Sequence, residues 1–253
     1  MYNRTTHPLT RALNRLFDVG PIRLHRFGHD HDHEESTTDI EADVLAAVRE
    51  RAGEVHERLA HDHGVYGVEF AGSTGGGKTL LIERLIERAP EDEQLGVVVG
   101  DVAGEDDAKR LRDHGVAVEN VNTGKECHLD PTLVDEAIES FDLETLDTLY
   151  LENVGNMVCP ADFPLGATRR VLVVSTTEGD DVVRKHPMLV QSADVVVINK
   201  VDIADAVGTD VDVIRSDVED VAPGTSVVET NAQSGEGIAA LEAELEGEHD
   251  HHQ

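Results

Sequence analysis

The strongest constraint on this chain is the segment Gly72-Ser-Thr-Gly-Gly-Gly-Lys78-Thr79, which follows an apolar run and precedes a helical pattern. Lys78 is placed to reach terminal phosphates, and the hydroxyl of Thr79 is placed to bind Mg²⁺ at a helix N-terminus. Three consecutive glycines lack the Cβ atoms that would keep backbone N–H groups away from phosphate oxygens: Gly75, Gly76 and Gly77. A glycine-rich turn without a ligand is the alternative, but the order strand, loop, lysine, threonine and helix favours a phosphate-binding loop.

A second motif, Asn199-Lys200-Val201-Asp202, follows the apolar run 194–198 and predicts guanine recognition. The carboxylate of Asp202 can accept hydrogen bonds from both the ring N–H and the exocyclic amine of guanine. Adenine would leave this carboxylate desolvated without donors, at a cost of roughly 2–5 kcal/mol. We therefore expect GTP rather than ATP, with Asn199 and Lys200 beside it. Alone, such a segment is more often a surface turn, but its position after a phosphate loop favours the nucleotide.

The chain is strongly acidic, with 52 acidic and 21 basic residues among 253 and a net charge of −31. Such a surface repels phosphates, which argues against nucleic acid and anionic membranes as partners. The excess charge favours a salt-adapted cytoplasm, where screening weakens self-repulsion, although an ordinary cytoplasm remains the alternative. Because no apolar run approaches the roughly eighteen residues of a membrane span and no signal peptide is evident, we expect a cytoplasmic protein without membrane contact.

Apolar runs alternate with amphipathic segments and predict an α/β fold: a doubly wound, mostly parallel sheet of about seven strands with helices on both faces. The strands are predicted at 65–71, 94–100, 116–121, 148–151, 170–175, 195–198 and 226–228. A helical spacing of apolar residues predicts a leading helix over 40–63. The sequence thus divides into a histidine-containing extension (1–39), a nucleotide-binding domain (40–246) and an acidic, histidine-containing tail (247–253). In the extension, leucines at helical spacing beside arginines indicate a docking helix or a disordered segment.

Both cysteines fall in predicted loops, Cys127 directly before His128 and Cys159 before a proline. Thiolate and imidazole ligands favour a borderline or soft divalent ion, tetrahedral for Zn²⁺ or square-planar for Ni²⁺. Adjacent side chains point apart, so a second subunit could complete the ligand set. Two buried thiols with an ordinary histidine are an equally weighted alternative, whereas a disulfide is disfavoured in a reducing cytosol.

Histidines interleaved with carboxylates crowd both ends of the chain. Such patches can hold several weakly bound transition ions, so the N-terminal one is a candidate nickel store; a solvated tail without metal is the alternative. The N-terminal candidates are His25, His29, His31 and His33, and the C-terminal histidines are His249, His251 and His252.

The chain resembles the HypB type of nickel-insertion GTPase, which acts in hydrogenase maturation and belongs to the dimerising P-loop GTPases. The resemblance runs from about residue 44 to 237, and its most specific motifs are Gly100-Asp101-Val, Asn122-Thr-Gly-Lys-Glu-Cys127-His128-Leu-Asp and Leu151-Glu152-Asn-Val-Gly155-Asn-Met-Val-Cys159-Pro-Ala. The related urease accessory type has a Cys-Pro-His metal motif that is absent from this sequence.

The resemblance implies roles for residues that spacing alone does not assign. It places Asp101 and Glu152 at Mg²⁺ and the attacking water, and it gives Lys78 a catalytic role as well as a binding one. Gly155 is implied to sense the γ-phosphate and to connect hydrolysis to Cys159. Around the base, the backbone N–H of Ala232 is implied to bind the guanine oxygen, and Gln233 takes the place of a lysine.

By the same resemblance, Cys127, His128 and Cys159 form a Ni²⁺ or Zn²⁺ site in a GTP-dependent homodimer, from which hydrolysis releases the ion. The implied partners are a HypA-type nickel donor or acceptor and the large subunit of a [NiFe]-hydrogenase. A urease-type accessory GTPase, a histidine-rich nickel store and a small-molecule kinase are the alternatives. The chain departs from the family at Thr74, where proline is usual, and lacks the N-terminal Cys-x-x-Cys motif of some members.

Overall fold

The computed structural model describes residues 37–101, 104–124, 128–158 and 163–246. Their centre is one sheet of seven parallel strands in the order β3-β2-β4-β1-β5-β6-β7. The strands are β1 Tyr66–Gly72, β2 Leu95–Asp101, β3 Ala117–Asn122, β4 Thr148–Glu152, β5 Arg169–Ser175, β6 Val195–Asn199 and β7 Ser226–Thr230. All seven strands end at the same edge, where ligands of such sheets bind.

Helices cover both faces of the sheet. The described α-helices are α1 Thr37–His56, α2 Lys78–Ile86, α3 Asp106–Arg112, α4 Pro131–Ile138, α5 Val182–Lys185, α6 Pro187–Gln191, α7 Ala204–Val207, α8 Val211–Val221 and α9 Ile238–Glu246. On one face α2, α3 and α9 share a single apolar cluster with the strands. On the other face there are two clusters, one involving α4 and the end of α1, and one involving α5, α6 and α8.

Alternation along the strands explains these layers. In β2, Val97 and Val99 pack into the cluster beneath α2, whereas Val98 between them packs against the opposite face. Each of these three side chains is at most 2% exposed. Successive strand side chains point to opposite faces, so a strand that is apolar throughout requires cover on both. This pattern is why the sequence predicts a doubly wound fold, and the fold is confirmed.

The leading helix begins at Thr37 and continues after His56 as a π-helical stretch, Glu57–Asp62. Val48, Val55 and Leu59 are its most buried side chains, each at most 1% exposed. It also pairs with α4, where Asp135 accepts hydrogen bonds from two arginines of the leading helix, Arg51 and Arg58.

Strand boundaries differ from the prediction by one or two residues. The largest extension is in β7, which runs to Thr230 because it continues pairing with β6 as far as Asn199. In the described ranges, no helix is both long enough and apolar enough to cross a bilayer. The histidine-rich patches at both ends lie outside the described residues.

Candidate nucleotide site at the carboxyl edge of the sheet

The phosphate loop connects the end of β1 to the start of α2. Lys78 is only 6% exposed, and its ammonium donates to the carbonyl oxygens of Ser73 at 3.1 Å and Gly72 at 3.3 Å. No side chain caps the N-terminus of α2, so the N–H groups of its first turn remain directed into the loop. A buried ammonium beside a helix N-terminus is the arrangement that an anion site requires.

Asn199 holds this loop against the rest of the sheet. Its amide nitrogen donates to the carbonyl oxygen of Gly76 at 2.9 Å, and its amide oxygen accepts from the hydroxyl of Thr230 at 3.0 Å and the N–H of Ala232 at 3.1 Å. A Cβ atom on Gly77 would lie 2.2 Å from that amide nitrogen, so the third glycine of the loop is required for this contact. The sequence places Asn199 beside the nucleotide, but it does not reveal this connecting role.

Lys200 and Asp202, the other two polar residues of the motif that begins at Asn199, differ in exposure. Lys200 adopts a left-handed backbone conformation, with φ of 63°, and its ammonium donates to the carbonyl oxygen of Gly75 at 2.6 Å. Asp202 is exposed in the turn that follows. The lysine therefore lies along the outer side of the phosphate loop, and the aspartate lies at the surface where a base would be read.

The loop after β7 forms the other side of this surface. Gln233 is exposed, whereas Ala232 is 2% exposed and its N–H donates to Asn199. Arg84 of α2 donates to the carbonyl oxygens of Ala232 at 2.9 Å and Gln233 at 3.2 Å. The backbone N–H of Ala232, which is predicted to bind the guanine oxygen, therefore already donates to Asn199. A bound base would share this N–H with Asn199.

The ends of β2 and β4 bring the carboxylates Asp101 and Glu152 to the same side of the phosphate loop. Glu152 is 5% exposed, and Thr79 donates to its Oε1 at 2.7 Å. Its Oε2 is buried and has no hydrogen-bond partner within the part of the chain that the structure describes. Burial raises the pKa of Glu152 to about 7, although the Lys78 ammonium and the Thr79 hydroxyl act in the opposite direction. Burial also lowers the pKa of Lys78, although the nearby carboxylates act to raise it.

Three further charged residues near the phosphate loop are not identified by the sequence motifs. Asp107 and Arg110 of α3 lie close enough to influence the pKa of Glu152, the first raising and the second lowering it, after the dominant effect of burial. Glu178 accepts from the hydroxyl of Ser73 at 2.6 Å. The acidic start of α3 is visible in the sequence, but nothing there shows that it turns toward Lys78.

The segment after β4 touches the phosphate loop directly. The hydroxyl of Thr74 donates to the carbonyl oxygen of Gly155 at 3.1 Å, and a Cβ atom on Gly155 would lie 2.2 Å from that hydroxyl oxygen. The backbone N–H of Asn156 also donates to the carbonyl oxygen of Gly72 at 3.0 Å. The threonine that replaces the usual proline therefore joins the phosphate loop to the segment leading toward Cys159.

Of the predicted metal-binding thiols and imidazole, only His128 is described. Its ring lies over that of Phe163, with 4.1 Å between centroids and 34° between planes. Cys127 and Cys159, like the histidines of the N-terminal patch, lie outside the described residues. Across residues 37–101, 104–124, 128–158 and 163–246, no three His, Cys, Asp or Glu side chains group as metal ligands.

Comparison with known proteins gives a consistent result. The nucleotide-binding domain of CobW/HypB/UreG proteins matches residues 67–229. A probable hydrogenase maturation factor HypB of Methanocaldococcus jannaschii is 45% identical over 200 residues, covering 79% of this chain and 90% of that protein. The crystal structure of HypB from Archaeoglobus fulgidus matches with a TM-score of 0.74 at 41% identity, covering 80% of this chain and 98% of that one. HypB from Helicobacter pylori in complex with nickel matches with a TM-score of 0.73 at 32% identity, covering 79% and 96%.

Proposed function

The chain belongs to the HypB branch of the CobW/HypB/UreG family, and from this premise we propose that it is a GTP-hydrolysing metallochaperone that delivers Ni²⁺ during maturation of a [NiFe]-hydrogenase. The observation that carries the GTPase proposal is the buried Glu152, which holds the hydroxyl of Thr79 and leaves one oxygen unpartnered beside the phosphate loop. The similar Helicobacter pylori protein in complex with nickel supports the choice of metal.

The nucleotide would lie along the carboxyl edge of the sheet. Lys78 and the free N–H groups of α2 bind its phosphates, while Asn199 and Lys200 keep the phosphate loop in place. The exposed carboxylate of Asp202 reads the guanine edge, and the exposed side chain of Gln233 packs beside the base. These assignments make the chain selective for guanine because adenine presents an unprotonated ring nitrogen and a C–H group where guanine presents two N–H donors to the carboxylate.

The residues around Glu152 fit Mg²⁺. The hydroxyl of Thr79, the carboxyl of Asp101 and the unpartnered oxygen of Glu152 are hard oxygen ligands of the kind Mg²⁺ prefers, directly or through water. An orphaned buried carboxylate oxygen is costly unless a cation or a donor meets it, which favours this assignment. When bound, the ion supplies positive charge to the β- and γ-phosphate oxygens.

Hydrolysis then requires positioning more than covalent chemistry. A water oxygen forms a bond to the γ-phosphorus while the bond from phosphorus to the bridging oxygen breaks, giving GDP and phosphate, and both protons of the water leave with the phosphate as H₂PO₄⁻. Asp101 and Glu152 orient the water, and Lys78 offsets the charge that spreads over the transferring group. No protein group becomes covalently attached, and we expect slow intrinsic turnover.

We assign the nickel to the loops that follow β3 and β4. Cys127, His128 and Cys159 are the proposed ligands for Ni²⁺, with Zn²⁺ as the competing ion, and two protomers brought together by GTP share the site. A HypA-type protein and a hydrogenase large subunit are the proposed partners. The histidines of the N-terminal patch would hold further nickel weakly: His25, His29, His31 and His33.

Sedimentation of the purified chain tests the coupling between nucleotide and metal. Runs with GDP or a non-hydrolysable GTP analogue, each with and without Ni²⁺, should give a dimer only with the GTP analogue, stabilised further by nickel. GTP hydrolysis is followed in parallel. Nickel binding without any GTP hydrolysis would instead identify a nickel store.

A Cys127→Ala variant tests the metal assignment. We expect it to lose stoichiometric Ni²⁺ binding and keep its affinity for GTP, because the substitution leaves the phosphate loop and the guanine motif unchanged. The matched comparison is Lys78→Ala, which should lose GTP affinity and, in the absence of nucleotide, take up as much Ni²⁺ as the nucleotide-free wild type does. If Cys127→Ala binds the same number of Ni²⁺ ions as the wild type, the proposed site is wrong.

A further inference from the structure

A buried amide lies at the junction between the two loops assigned to nickel. Asn153 directly follows β4 and is 1% exposed. Its amide oxygen accepts from the backbone N–H of Leu129 at 3.0 Å and of Val154 at 2.9 Å, and its amide nitrogen donates to Oε1 of Glu69 at 2.9 Å. The side chain thus joins the loop after β4 to the loop after β3 through Leu129 and to β1 through Glu69.

The acceptor Glu69 belongs to a buried ion pair. Arg170 of β5 donates from Nε to Oε2 of Glu69 at 2.9 Å and from Nη2 to Oε1 at 3.1 Å, which is a bidentate arrangement. Glu69 is 2% exposed and Arg170 is 8% exposed. The same guanidinium also donates to the hydroxyl of Ser192 at 3.0 Å and the carbonyl oxygen of Phe163 at 3.3 Å. These hydrogen bonds therefore hold both side chains of the ion pair in one orientation.

These contacts flank the proposed nickel ligands on each side. Leu129 directly follows His128, and Phe163 follows Cys159 by four residues. The ring of Phe163 also lies against that of His128. The fully buried side chain of Leu129 lies over Gly100, which fixes this loop at the end of β2.

We propose that Asn153, Glu69 and Arg170 are positioning residues for the nickel site: they set the separation of the two ligand loops without touching the metal. This inference rests on the proposed function, since it takes Cys127, His128 and Cys159 as ligands. A packed apolar group can replace a buried ion pair without loss of stability, so stability alone does not account for the pair. Fixing ligand geometry accounts for both its bidentate form and its connection to Asn153.

The first test compares Asn153→Ala with Asn231→Ala. Asn231 is a matched control because its amide oxygen also accepts from two backbone N–H groups, those of Gln233 at 3.0 Å and Ser234 at 3.2 Å, but beside the base site. Loss of an outer-shell partner of a metal site typically costs about 10–100-fold in affinity. We expect that increase in the Kd for Ni²⁺, with a shifted thiolate-to-nickel absorption band, for Asn153→Ala, and a change of less than about twofold in GTP affinity. Asn231→Ala should weaken GTP binding and leave the nickel band unchanged.

A charge-preserving exchange provides the second test. Asn153→Asp alone places two carboxylates at hydrogen-bonding distance, so it should weaken Ni²⁺ binding at least as much as Asn153→Ala. Combining it with Glu69→Gln restores one amide and one carboxylate at the junction and keeps the net charge. In the double variant the amide oxygen at position 69 can still accept from Nε of Arg170, but the amide nitrogen that donates to the carboxylate at position 153 no longer accepts from Nη2. The double variant should therefore recover the nickel band in part, with a Kd between those of Asn153→Asp and the wild type.

The outcomes separate this inference from the proposed function. If the wild type binds Ni²⁺ through Cys127 while Asn153→Ala keeps both the wild-type Kd and the wild-type band, the positioning role is wrong and the nickel site stands. If the wild type binds no nickel, or Cys127→Ala binds as the wild type does, both fail together. If circular dichroism shows that Asn153→Ala does not fold, the double variant decides, and its failure to recover the band overturns the inference.

Discussion

Two buried asparagines perform similar roles on opposite sides of the phosphate loop, but they use different partners. Asn199 at the end of β6 bonds only neutral groups: a carbonyl oxygen of the phosphate loop, a hydroxyl and a backbone N–H. Asn153 after β4 bonds Glu69, whose charge is matched by Arg170. On the nucleotide side Asn199 therefore contributes only neutral hydrogen bonds, and a charged donor, the Lys200 ammonium, contacts the outer side of the phosphate loop. The side assigned to the metal is held by a compensated ion pair, which adds direction without adding net charge near the phosphates.

The strongest test of this division is Lys78→Ala. Removing the buried ammonium should lower the rate of GTP hydrolysis by about 100-fold or more, as loss of a preorganised charge at a transferring group does. Any Ni²⁺ uptake measured without nucleotide should match that of the nucleotide-free wild type within about twofold. Lys185→Ala is the control, since Lys185 is an exposed lysine that pairs with Asp181 on the surface. A similar loss of hydrolysis in Lys185→Ala would contradict a specific role for Lys78.

Next in size is the effect of pH on the buried carboxyl. Because burial raises the folded-state pKa of Glu152 from 4.5 to about 7, the folded chain binds more protons than the unfolded chain between these values. Stability contributed by the neutral form is thus present below pH 4.5 and is lost as pH rises through about 7. The full linkage amounts to about 3 kcal/mol, an order-of-magnitude figure.

Urea unfolding of ligand-free wild type and Glu152→Gln at pH 5 and pH 8 isolates this contribution. The amide cannot ionise, so the variant should gain stability relative to the wild type as pH rises. Comparing the two chains at each pH removes the general effect of the acidic surface. A difference in unfolding free energy that does not change with pH would show that the carboxyl titrates normally.

The third prediction concerns Asn199, which bonds only neutral groups. Asn199→Ala leaves the carbonyl oxygen of Gly76 and the N–H of Ala232 without their partner, at a cost of about 2 kcal/mol. GTP affinity should fall with stability because the phosphate loop loses its support. Asn120→Ala provides the comparison, since Asn120 donates one hydrogen bond, to the carbonyl oxygen of Gly104 at 2.9 Å. Equal losses in the two variants by urea unfolding would remove the special role of Asn199.

The smallest effect is expected at the hydrogen bond between Thr74 of the phosphate loop and Gly155 of the segment after β4. Thr74→Val keeps the shape of the side chain and removes the hydrogen bond to Gly155, which is exposed and therefore contributes about 0.5–1 kcal/mol. GDP dissociation, followed with a fluorescent analogue, should accelerate by less than about fivefold. Thr145→Val is matched, because Thr145 makes an exposed hydrogen bond to the carbonyl oxygen of Asp142 far from the site. An identical GDP rate in Thr74→Val and the wild type would show that this contact does not hold the nucleotide.

The sequence predicts the sheet well because its signal is local. The run 195–198 is apolar on both faces, and only a strand covered on both sides accommodates it. The phosphate loop is likewise predicted because its chemistry lies within eight consecutive residues. These features need no knowledge of distant parts of the chain.

The two asparagine junctions could not be predicted in this way. Asn153 meets Glu69 across 84 positions of sequence, and Asn199 meets Gly76 across 123. Neither spacing carries a pattern, since only the strand order brings these residues together. The same holds for Asp107 and Glu178, whose approach to Lys78 depends on how α3 and the turn after β5 pack against the sheet.

The place of β1 in the sheet also determines which ligand contacts survive partial opening. β1 is fourth of seven strands and is hydrogen-bonded on both sides, whereas β7, which leads to Gln233, is an edge strand. Amide protons exchange with solvent first where backbone pairing is one-sided. Deuterium should therefore enter the loop after β7 well before the floor of the phosphate loop. A chain loosened by mild denaturant would lose the packing of Gln233 beside the base first, while Asp202, which follows the interior strand β6, still read the guanine edge.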